Sequence, residues 1–385
     1  MNRFSALTSF WQNIREADLR PYRDQAVGGV RLAIVGEPGS GGDLLADQIR
    51  RDPNRPQIFS DAPVLLLDLD TAGQAAVQAD LIILMVTSQT EEASRADALV
   101  RLWQNSARRV LVFINQPEDA AQASSALSPW TNRLGRRVVF GSPHDTQFLL
   151  QKFAPAVIEI LPERLLALSR SFPLFRIPIA HHLINDTSIA NAAYSLSTGF
   201  AELVPVLNIP ITITDTIVLT KAQAFLVYKL GLAFGYSTRW QDYLGEFGGV
   251  LGSGFFWRQL ARSLVGLIPF WGILPKTAIS YAGTYVVGNV VLQWYLTGRH
   301  LSRKQMGQLY SQALERGRAL ASTLFKRLPH PRLPRLGKPK SRPALPAPRP
   351  ARAAKRLRVC AHCGKTSATD ALFCQYCSTP FTTPG

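Results

Sequence analysis

The chain has 385 residues, which is long enough for two or three domains. Its hydrophobic content of 46% supports folded cores and excludes a wholly disordered protein, and its formal net charge of +17 favours phosphate-bearing partners. All four cysteines lie between Cys360 and Cys377, which argues against a disulfide framework and for a reducing compartment.

The first 28 residues predict an amphipathic N-terminal segment. Arg15, Glu16 and Asp18 interrupt the apolar positions, and no long apolar run precedes a cleavage site made of small residues. We therefore expect a short amphipathic helix here and no signal peptide.

Residues 29–168 alternate short apolar runs with polar, helix-length stretches. Continuous apolar runs of this length are typical of parallel strands that are buried on both faces. The stretches 91–107 and 119–134 supply crossover helices, so the pattern predicts an α/β three-layer sandwich. The predicted strands are RLAIV (31–35), VLLLDLD (64–70), LIILMV (81–86), VLVFIN (110–115) and VVFGS (138–142).

A glycine-rich loop, Gly36–Asp43, follows the first predicted strand and precedes a predicted helix. Its glycines match the phosphate-binding signature GxxxxGK[ST] at Gly36 and Gly41. The signature lysine is replaced by Gly42, and the hydroxyl residue that holds magnesium is replaced by Asp43. A purely structural alternative is that Ser40 caps the helix and Asp43 completes a capping box.

Three further fragments follow later strands in the order found in GTPases: Asp70-Thr-Ala-Gly73, Asn115-Gln-Pro-Glu118 and Ser142. With the glycine loop, they resemble an Era-like or TrmE-like GTPase domain over most of residues 29–168. The resemblance implies a P-loop fold with guanine nucleotide as the ancestral ligand. The residues it assigns to nucleotide binding are Gly36, Gly39, Ser40, Gly41, Gly42, Asp70, Gly73, Asn115 and Glu118.

The departures from the GTPase pattern all weaken catalysis. Gly42 supplies no cation, Asp43 adds a carboxylate, and glutamine stands at position 116 where the guanine-recognition motif has lysine. No other catalytic arrangement stands out in the chain, so no catalytic residue is assigned. We expect a GTPase-like scaffold without hydrolytic activity, and a divergent GTPase is the enzymatic alternative.

Residues 169–326 predict an all-α region. The uncharged stretch 277–298 has the length of a membrane span, but Thr, Ser, Asn and Gln dilute it, so a buried helix is an equal alternative. Residues 301–325 show the spacing of an amphipathic helix. The stretches 204–236 and 258–288 resemble the helical domain of YcjF-like proteins, which implies association with the cytoplasmic face of the bacterial membrane. His181 and His182 lack a third ligand at metal-binding spacing and are interpreted as structural.

The C-terminal part divides into a linker and a cysteine module. Residues 327–357 are rich in proline and basic residues, with twelve Lys and Arg and no acid between Lys326 and Arg358, and predict an extended linker. Residues 358–385 predict a zinc ribbon, because two CxxC pairs close a tetrahedral thiolate site that leaves no open coordination position. Iron in the same sulfur cage is the alternative. The expected ligands are Cys360, Cys363, Cys374 and Cys377.

These features together predict a regulatory or scaffold protein at the cytoplasmic side of the membrane, with Zn²⁺ as a structural metal. The ribbon would dock on a protein partner, and the linker would strengthen contact with anionic headgroups. The first alternative is a GTP-binding protein or GTPase at the membrane. The second is a nucleic-acid-binding protein that uses linker and ribbon.

Overall fold

A five-stranded parallel sheet forms where the sequence predicts strands. The computed structural model describes residues 18–87, 90–115, 134–201, 211–240, 242, 273–299, 301–327 and 357–368. The strands of the first half are β1 Leu32–Val35, β2 Arg51–Asp52, β3 Arg55–Phe59, β4 Val64–Leu67, β5 Leu81–Val86, β6 Val110–Asn115 and β7 Val138–Gly141. The parallel sheet has the order β4-β1-β5-β6-β7, and β2 and β3 form a separate antiparallel hairpin.

Helices cover both faces of the parallel sheet, because successive strand residues point to opposite sides. The α-helices described in this half are α1 Arg20–Val27, α2 Gly42–Arg50, α3 Ala72–Ala75, α4 Thr90–Asn105, α5 Thr146–Phe148, α6 Ala154–Ile160 and α7 Leu165–Ser171. One face packs Ile34, Ile83 and Phe113 against α2, α6 and α7, and the other packs Val35 and Ile82 against α3 and α4. The prediction of an α/β fold with helices on both faces is therefore confirmed.

Two features of this half differ from the prediction. Strand β4 is not buried on both faces, because it is the edge strand and leaves Leu65 and Leu66 exposed by 45% and 43%. The hairpin β2–β3 was not predicted, because it lies outside the sheet and its mixed burial pattern gives no apolar run. The predicted crossover helix at 119–134 lies almost wholly outside the described residues.

The second half is helical, as the sequence predicts. Its helices are α8 Arg176–Ala201, α9 Ile211–Ala233, α10 Ile273–Thr297 and α11 Arg303–Arg327. Helix α10 packs against α8, α9 and α11, and two glycines allow the close approaches. A Cβ atom at Gly288 would lie 2.6 Å from Ile184 of α8, and one at Gly317 would lie 2.8 Å from the backbone oxygen of Ala278.

Helix α10 contains most of the predicted uncharged stretch. Ala278, Ala282, Val286 and Val290 are all buried against neighbouring helices. This packing agrees with the buried-helix alternative for the segment. No helix in the part of the chain that the structure describes is long and apolar enough to cross a membrane.

Some of the polar groups inside the helical region are paired across helices. The Asn191 amide of α8 donates to the Thr284 hydroxyl of α10 at 2.8 Å, and the Ser280 hydroxyl donates to the Asn191 carbonyl at 3.0 Å. Such bonds satisfy buried polar atoms and fix how one helix sits against the other.

The chain separates into two units, Met1–Leu328 and Pro329–Gly385. The described part of the second unit is a small antiparallel hairpin of β8 Leu357–Val359 and β9 Thr366–Ala368. The predicted N-terminal segment is described only from Asp18 onward, where α1 packs in the core of the first unit.

Candidate functional site

The glycine loop lies at the carboxyl end of the parallel strands, where open α/β sheets bind ligands. Gly39 and Gly41 adopt positive φ angles of 88° and 93°, which side chains rarely tolerate. Helix α2 begins at Gly42, directly after the left-handed Gly41. The loop therefore has the sharp turn and helix N-terminus that a phosphate cradle requires, and the sheet is compatible with an α/β P-loop-like fold.

The loop is also packed closely against its surroundings. A Cβ atom at Gly36 would lie 2.5 Å from the Ser40 hydroxyl and 2.9 Å from the Met85 carbonyl oxygen. One at Gly41 would lie 2.8 Å from the amide nitrogen of Asn115. The contact with the Met85 backbone therefore requires glycine at position 36, whereas at position 41 the positive φ requires it and the Asn115 side chain adds to the restriction.

Asn115 connects the loop to the end of β6. Its Nδ2 donates a hydrogen bond to the Ser40 carbonyl oxygen at 2.8 Å. The structure thus brings together the first and third of the predicted nucleotide motifs. Glu118 and Gln116 of that third motif lie outside the described residues.

The second motif, Asp70–Gly73, follows β4 at the same carboxyl end of the parallel strands. The Asp70 amide donates to the Asp68 carboxylate at 3.1 Å, which closes a turn. Gly73 lies in α3, and its carbonyl oxygen accepts from the indole nitrogen of Trp103 at 3.4 Å. Ser142 follows β7, where its hydroxyl accepts from the His144 amide at 3.2 Å.

The alternative in which Ser40 caps α2 is wrong. The N-cap is Gly41, which has no side chain to cap with, and Ser40 is 3% exposed beneath the loop. Asp43 is exposed on the first turn of the helix, and Glu37 is half-buried in the loop. The segment Gly36–Asp43 contains two carboxylates and no Lys or Arg, so its charge is opposite to that of an ordinary phosphate site.

A second polar cluster joins the hairpin β2–β3 to the start of α8, and sequence reasoning missed it. The Asp52 carboxylate is 4% exposed as a residue and lies 3.3 Å from Arg55 Nη2 and 3.9 Å from Arg176 Nη1. The Ser60 hydroxyl donates to the Ser171 carbonyl oxygen at 2.6 Å. These contacts attach the segment that follows the glycine loop to the helical half.

Arginine side chains dominate this junction. Burial lowers the pKa of Arg176, Asp52 raises it, and the neighbouring Arg55 and Arg170 lower it. Arg170 Nη1 donates to the Tyr236 carbonyl at 2.8 Å, beyond the end of α9. Because Asp52 is shared by two guanidinium groups, the junction depends on one carboxylate, and only long-range structure could have revealed it.

Lys229 of α9 is another partly buried cation of the helical half. Its ammonium group lies 4.3 Å from the centre of the Tyr22 ring of α1. Burial lowers the pKa of Lys229, and Asp186 raises it. The side chain of Lys229 therefore lies at the contact between α9 and α1.

One histidine of the pair His181–His182 contacts an acidic residue of its own helix. His182 Nε2 lies 3.2 Å from the Asp186 carboxylate, one helical turn along α8. No group of three or more metal-ligating side chains occurs within the described residues.

The first cysteine pair of the predicted ribbon occupies a tight turn between β8 and β9. The Gly364 amide donates to the Cys360 carbonyl at 2.9 Å, and Gly364 has a φ angle of 70°. The Cys360 amide donates to the Lys365 carbonyl at 3.0 Å. This turn holds Cys360 and Cys363 on one short loop, as a zinc knuckle requires. Cys374 and Cys377 lie outside the described residues.

No protein-family model matches this sequence, and no curated protein is detectably similar to it.

Proposed function

We propose that this protein is a scaffold or regulatory protein whose GTPase-like half has lost nucleotide hydrolysis. The observation that carries the proposal is the contrast within the segment Gly36–Asp43. Its glycines keep a phosphate-cradle geometry, whereas it supplies two carboxylates and no cation. The fold therefore serves as a rigid platform for other parts of the protein and for partners.

Electrostatics supports this proposal. A carboxylate and a phosphate charge 4 Å apart repel by about 4 kcal/mol at the effective dielectric of a protein surface. A phosphate site normally gains a comparable attraction from its lysine and magnesium. Gly42 and Asp43 replace both sources of attraction.

Calorimetric titration of the full chain with GTP, with and without Mg²⁺, tests the proposal that this half does not hydrolyse nucleotide and acts as a scaffold. We expect no binding tighter than about 1 mM. A double variant, Gly42→Lys with Asp43→Ser, restores the lysine and the hydroxyl of the phosphate-binding signature and should gain GTP binding. The introduced lysine must fit beside Ile34, whose Cγ2 would lie 3.2 Å from the new Cβ. Micromolar binding by the wild-type protein with turnover would contradict the proposal.

A divergent GTP-binding protein is the second candidate. It is favoured by Asn115, which stands at the end of β6 and contacts the loop through Ser40. That position is where the resemblance places recognition of guanine. GTP binding without turnover, retained in the absence of Mg²⁺ and weakened by Asn115→Asp, is the result expected for this candidate.

We also propose that Cys360, Cys363, Cys374 and Cys377 bind a structural Zn²⁺ ion. The turn at Gly364 and the spacing of the two pairs support it. Such a site supplies roughly 10 kcal/mol of folding free energy to a module with little core. Metal analysis of the full chain should give one zinc per chain, lost in Cys360→Ser and kept in His362→Ala. Iron in the purified protein would contradict the assignment of zinc.

The last part of the proposal is that the basic linker attaches the protein peripherally to an anionic membrane surface. It is supported by the twelve basic residues between Lys326 and Arg358, each worth about 1 kcal/mol near anionic lipid. Flotation of the full chain with vesicles containing phosphatidylserine should show binding that falls with salt. Equal binding to neutral vesicles, or none to either, would contradict it, and preferential salt-sensitive binding to random DNA would favour the nucleic-acid alternative.

A further inference from the structure

Strand β4 is the terminal strand on one side of the parallel sheet. It pairs with β1 on its inner side, and no strand in the described part of the chain pairs with its outer side. The Gly36 amide donates to the Leu67 carbonyl at 3.1 Å, so the backbone groups of Leu67 and Leu65 face β1. The N–H and C=O groups of Val64 and Leu66 therefore point outward, ready to pair with an added strand.

The side chains at this edge are apolar on both faces. Leu65 and Leu66 point to opposite sides of the sheet and are exposed by 45% and 43%. Leu65 has the same facing as its β1 neighbour Ala33, which is buried. An added strand would cover the leucines from the side and extend both hydrophobic layers.

The hairpin β2–β3 precedes this edge in the chain but does not pair with β4. Its two strands pair with each other, and Asp52 and Ser60 attach the segment to Arg176 and Ser171. The hairpin is thus bonded to the helical half and not to the parallel sheet. Natural proteins usually block exposed apolar edges, so an edge strand with two exposed leucines indicates a binding surface.

Charge indicates what the edge would accept. Asp61 is exposed just before β4, and Asp68 follows its end. A second copy of the chain fits poorly, because antiparallel pairing of the leucines would bring Asp61 of one copy near Asp68 of the other. A segment with basic residues at its ends would instead meet acidic groups at both ends of β4.

We propose that the outer edge of β4 docks an extended segment of a partner protein, apolar in its centre and basic at its ends, which adds to the sheet as a further strand. Main-chain hydrogen bonds to Val64 and Leu66 provide affinity, and the exposed leucines and flanking acids select the sequence. The proposal rests on the scaffold function above and gives it a partner class. The residues that test it, Leu66 and Asp61, are not among those assigned to nucleotide binding, so the two proposals can fail separately.

The test uses a fluorescently labelled peptide of about ten residues, with alternating valine and leucine between basic ends, matched in length to a short added strand. Anisotropy titration against the full-length protein should show saturable binding. Leu66→Pro removes an outward N–H and leaves the ladder to β1 intact, so it should weaken binding at least about tenfold. Phe140→Ser, a matched loss of an exposed apolar residue on the opposite edge strand β7, should not change it.

Two further measurements keep the test valid if Leu66→Pro fails to fold. A peptide with N-methyl groups along its pairing edge should lose binding to the wild-type protein, because it cannot donate to β4. Asp61→Asn should weaken binding of the unmodified peptide by a few fold at low salt and make it less sensitive to salt.

The proposal is overturned if the wild-type protein shows no saturable binding up to about 1 mM peptide. It is also overturned if the N-methylated peptide binds as tightly as the unmodified one. A dimer of the wild-type protein that Leu66→Pro abolishes would assign the edge to a second copy. GTP binding and turnover alongside peptide binding would remove the scaffold function and leave the edge site standing.

Discussion

The glycine loop and the junction with the helical half distribute charge in opposite ways. The loop presents carboxylates at Glu37 and Asp43 and no cation of its own, in a place where a ligand would need positive charge. The junction instead places two arginines, Arg55 and Arg176, beside the buried carboxylate of Asp52. The comparison indicates that opposite charges are paired where the first half meets the helices, whereas the loop contributes only acidic groups of its own.

Removing the carboxylate at the junction should have the largest effect on stability. Asp52→Asn leaves Arg176 partly buried without its counter-charge, and breaking such a pair costs about 3 kcal/mol. Urea denaturation of both proteins measures the change. Asp47→Asn removes the partner of Arg50 in an exposed pair and should cost less than about 1 kcal/mol. Equal effects of the two substitutions would contradict the special role of the junction.

Substitution within the loop should have the next largest effect. Gly41→Ala forces a side chain into a φ of 93° and within 2.8 Å of the Asn115 amide, which should cost about 2 kcal/mol. Thermal unfolding measures it. Gly73→Ala is the control, because no atom lies within 4 Å of its Cβ position and α3 favours alanine. A harmless Gly41→Ala would show that the loop is not held as tightly as its contacts indicate.

Substitution of Lys229 tests whether a partly buried cation lowers the stability of the folded protein. Because burial lowers its pKa, its charged form is disfavoured in the folded state, and the resulting cost disappears as pH rises towards the ordinary value of 10.5. Lys229→Met should therefore raise stability by about 1 kcal/mol at pH 7, and the gain should shrink by pH 10. The exposed Lys326→Met controls for the loss of a lysine charge. A less stable Lys229→Met would show that the contacts with Tyr22 and Asp186 outweigh burial.

Two buried tyrosines give the smallest expected difference. The Tyr281 hydroxyl donates to the Asn185 side chain at 3.2 Å, whereas the Tyr310 hydroxyl has no hydrogen-bond partner within the described residues. Tyr281→Phe should cost about 0.5–1 kcal/mol, and Tyr310→Phe should be neutral or slightly stabilising. Chemical denaturation of both variants makes the comparison, and the reverse order would contradict the hydrogen-bond assignment.

The strands of the sheet were predictable because each is a continuous apolar run, and the amphipathic helix 301–325 was predictable from its spacing. The edge position of β4 was not, because VLLL has the same pattern as a central strand and only the pairing distinguishes them. The hairpin was missed because RPQIF carries no alternation that marks a strand.

The candidate site was predictable in the same local way. The glycines at positions 39 and 41 predict a turn, and both have a positive φ angle in the structure. The contact between Asn115 and Ser40 and the bond between Asp52 and Arg176 join residues far apart in the chain, so no local pattern reveals them. The resemblance pointed to Asn115 as a ligand residue but not to its bond with the loop.

The glycines at the contacts of α10 have a consequence for how this sequence can vary. Glycine inside a helix costs up to about 1 kcal/mol relative to alanine, so selection is expected to keep it where no larger residue fits. Gly288 and Gly317 meet that condition, whereas a Cβ atom at Gly307 would have nothing within 4 Å. When relatives of this protein are aligned, positions 288 and 317 should stay glycine, whereas position 307 should vary freely. The pattern of retained glycines would then show, from sequences alone, where the helices of this protein pack closely.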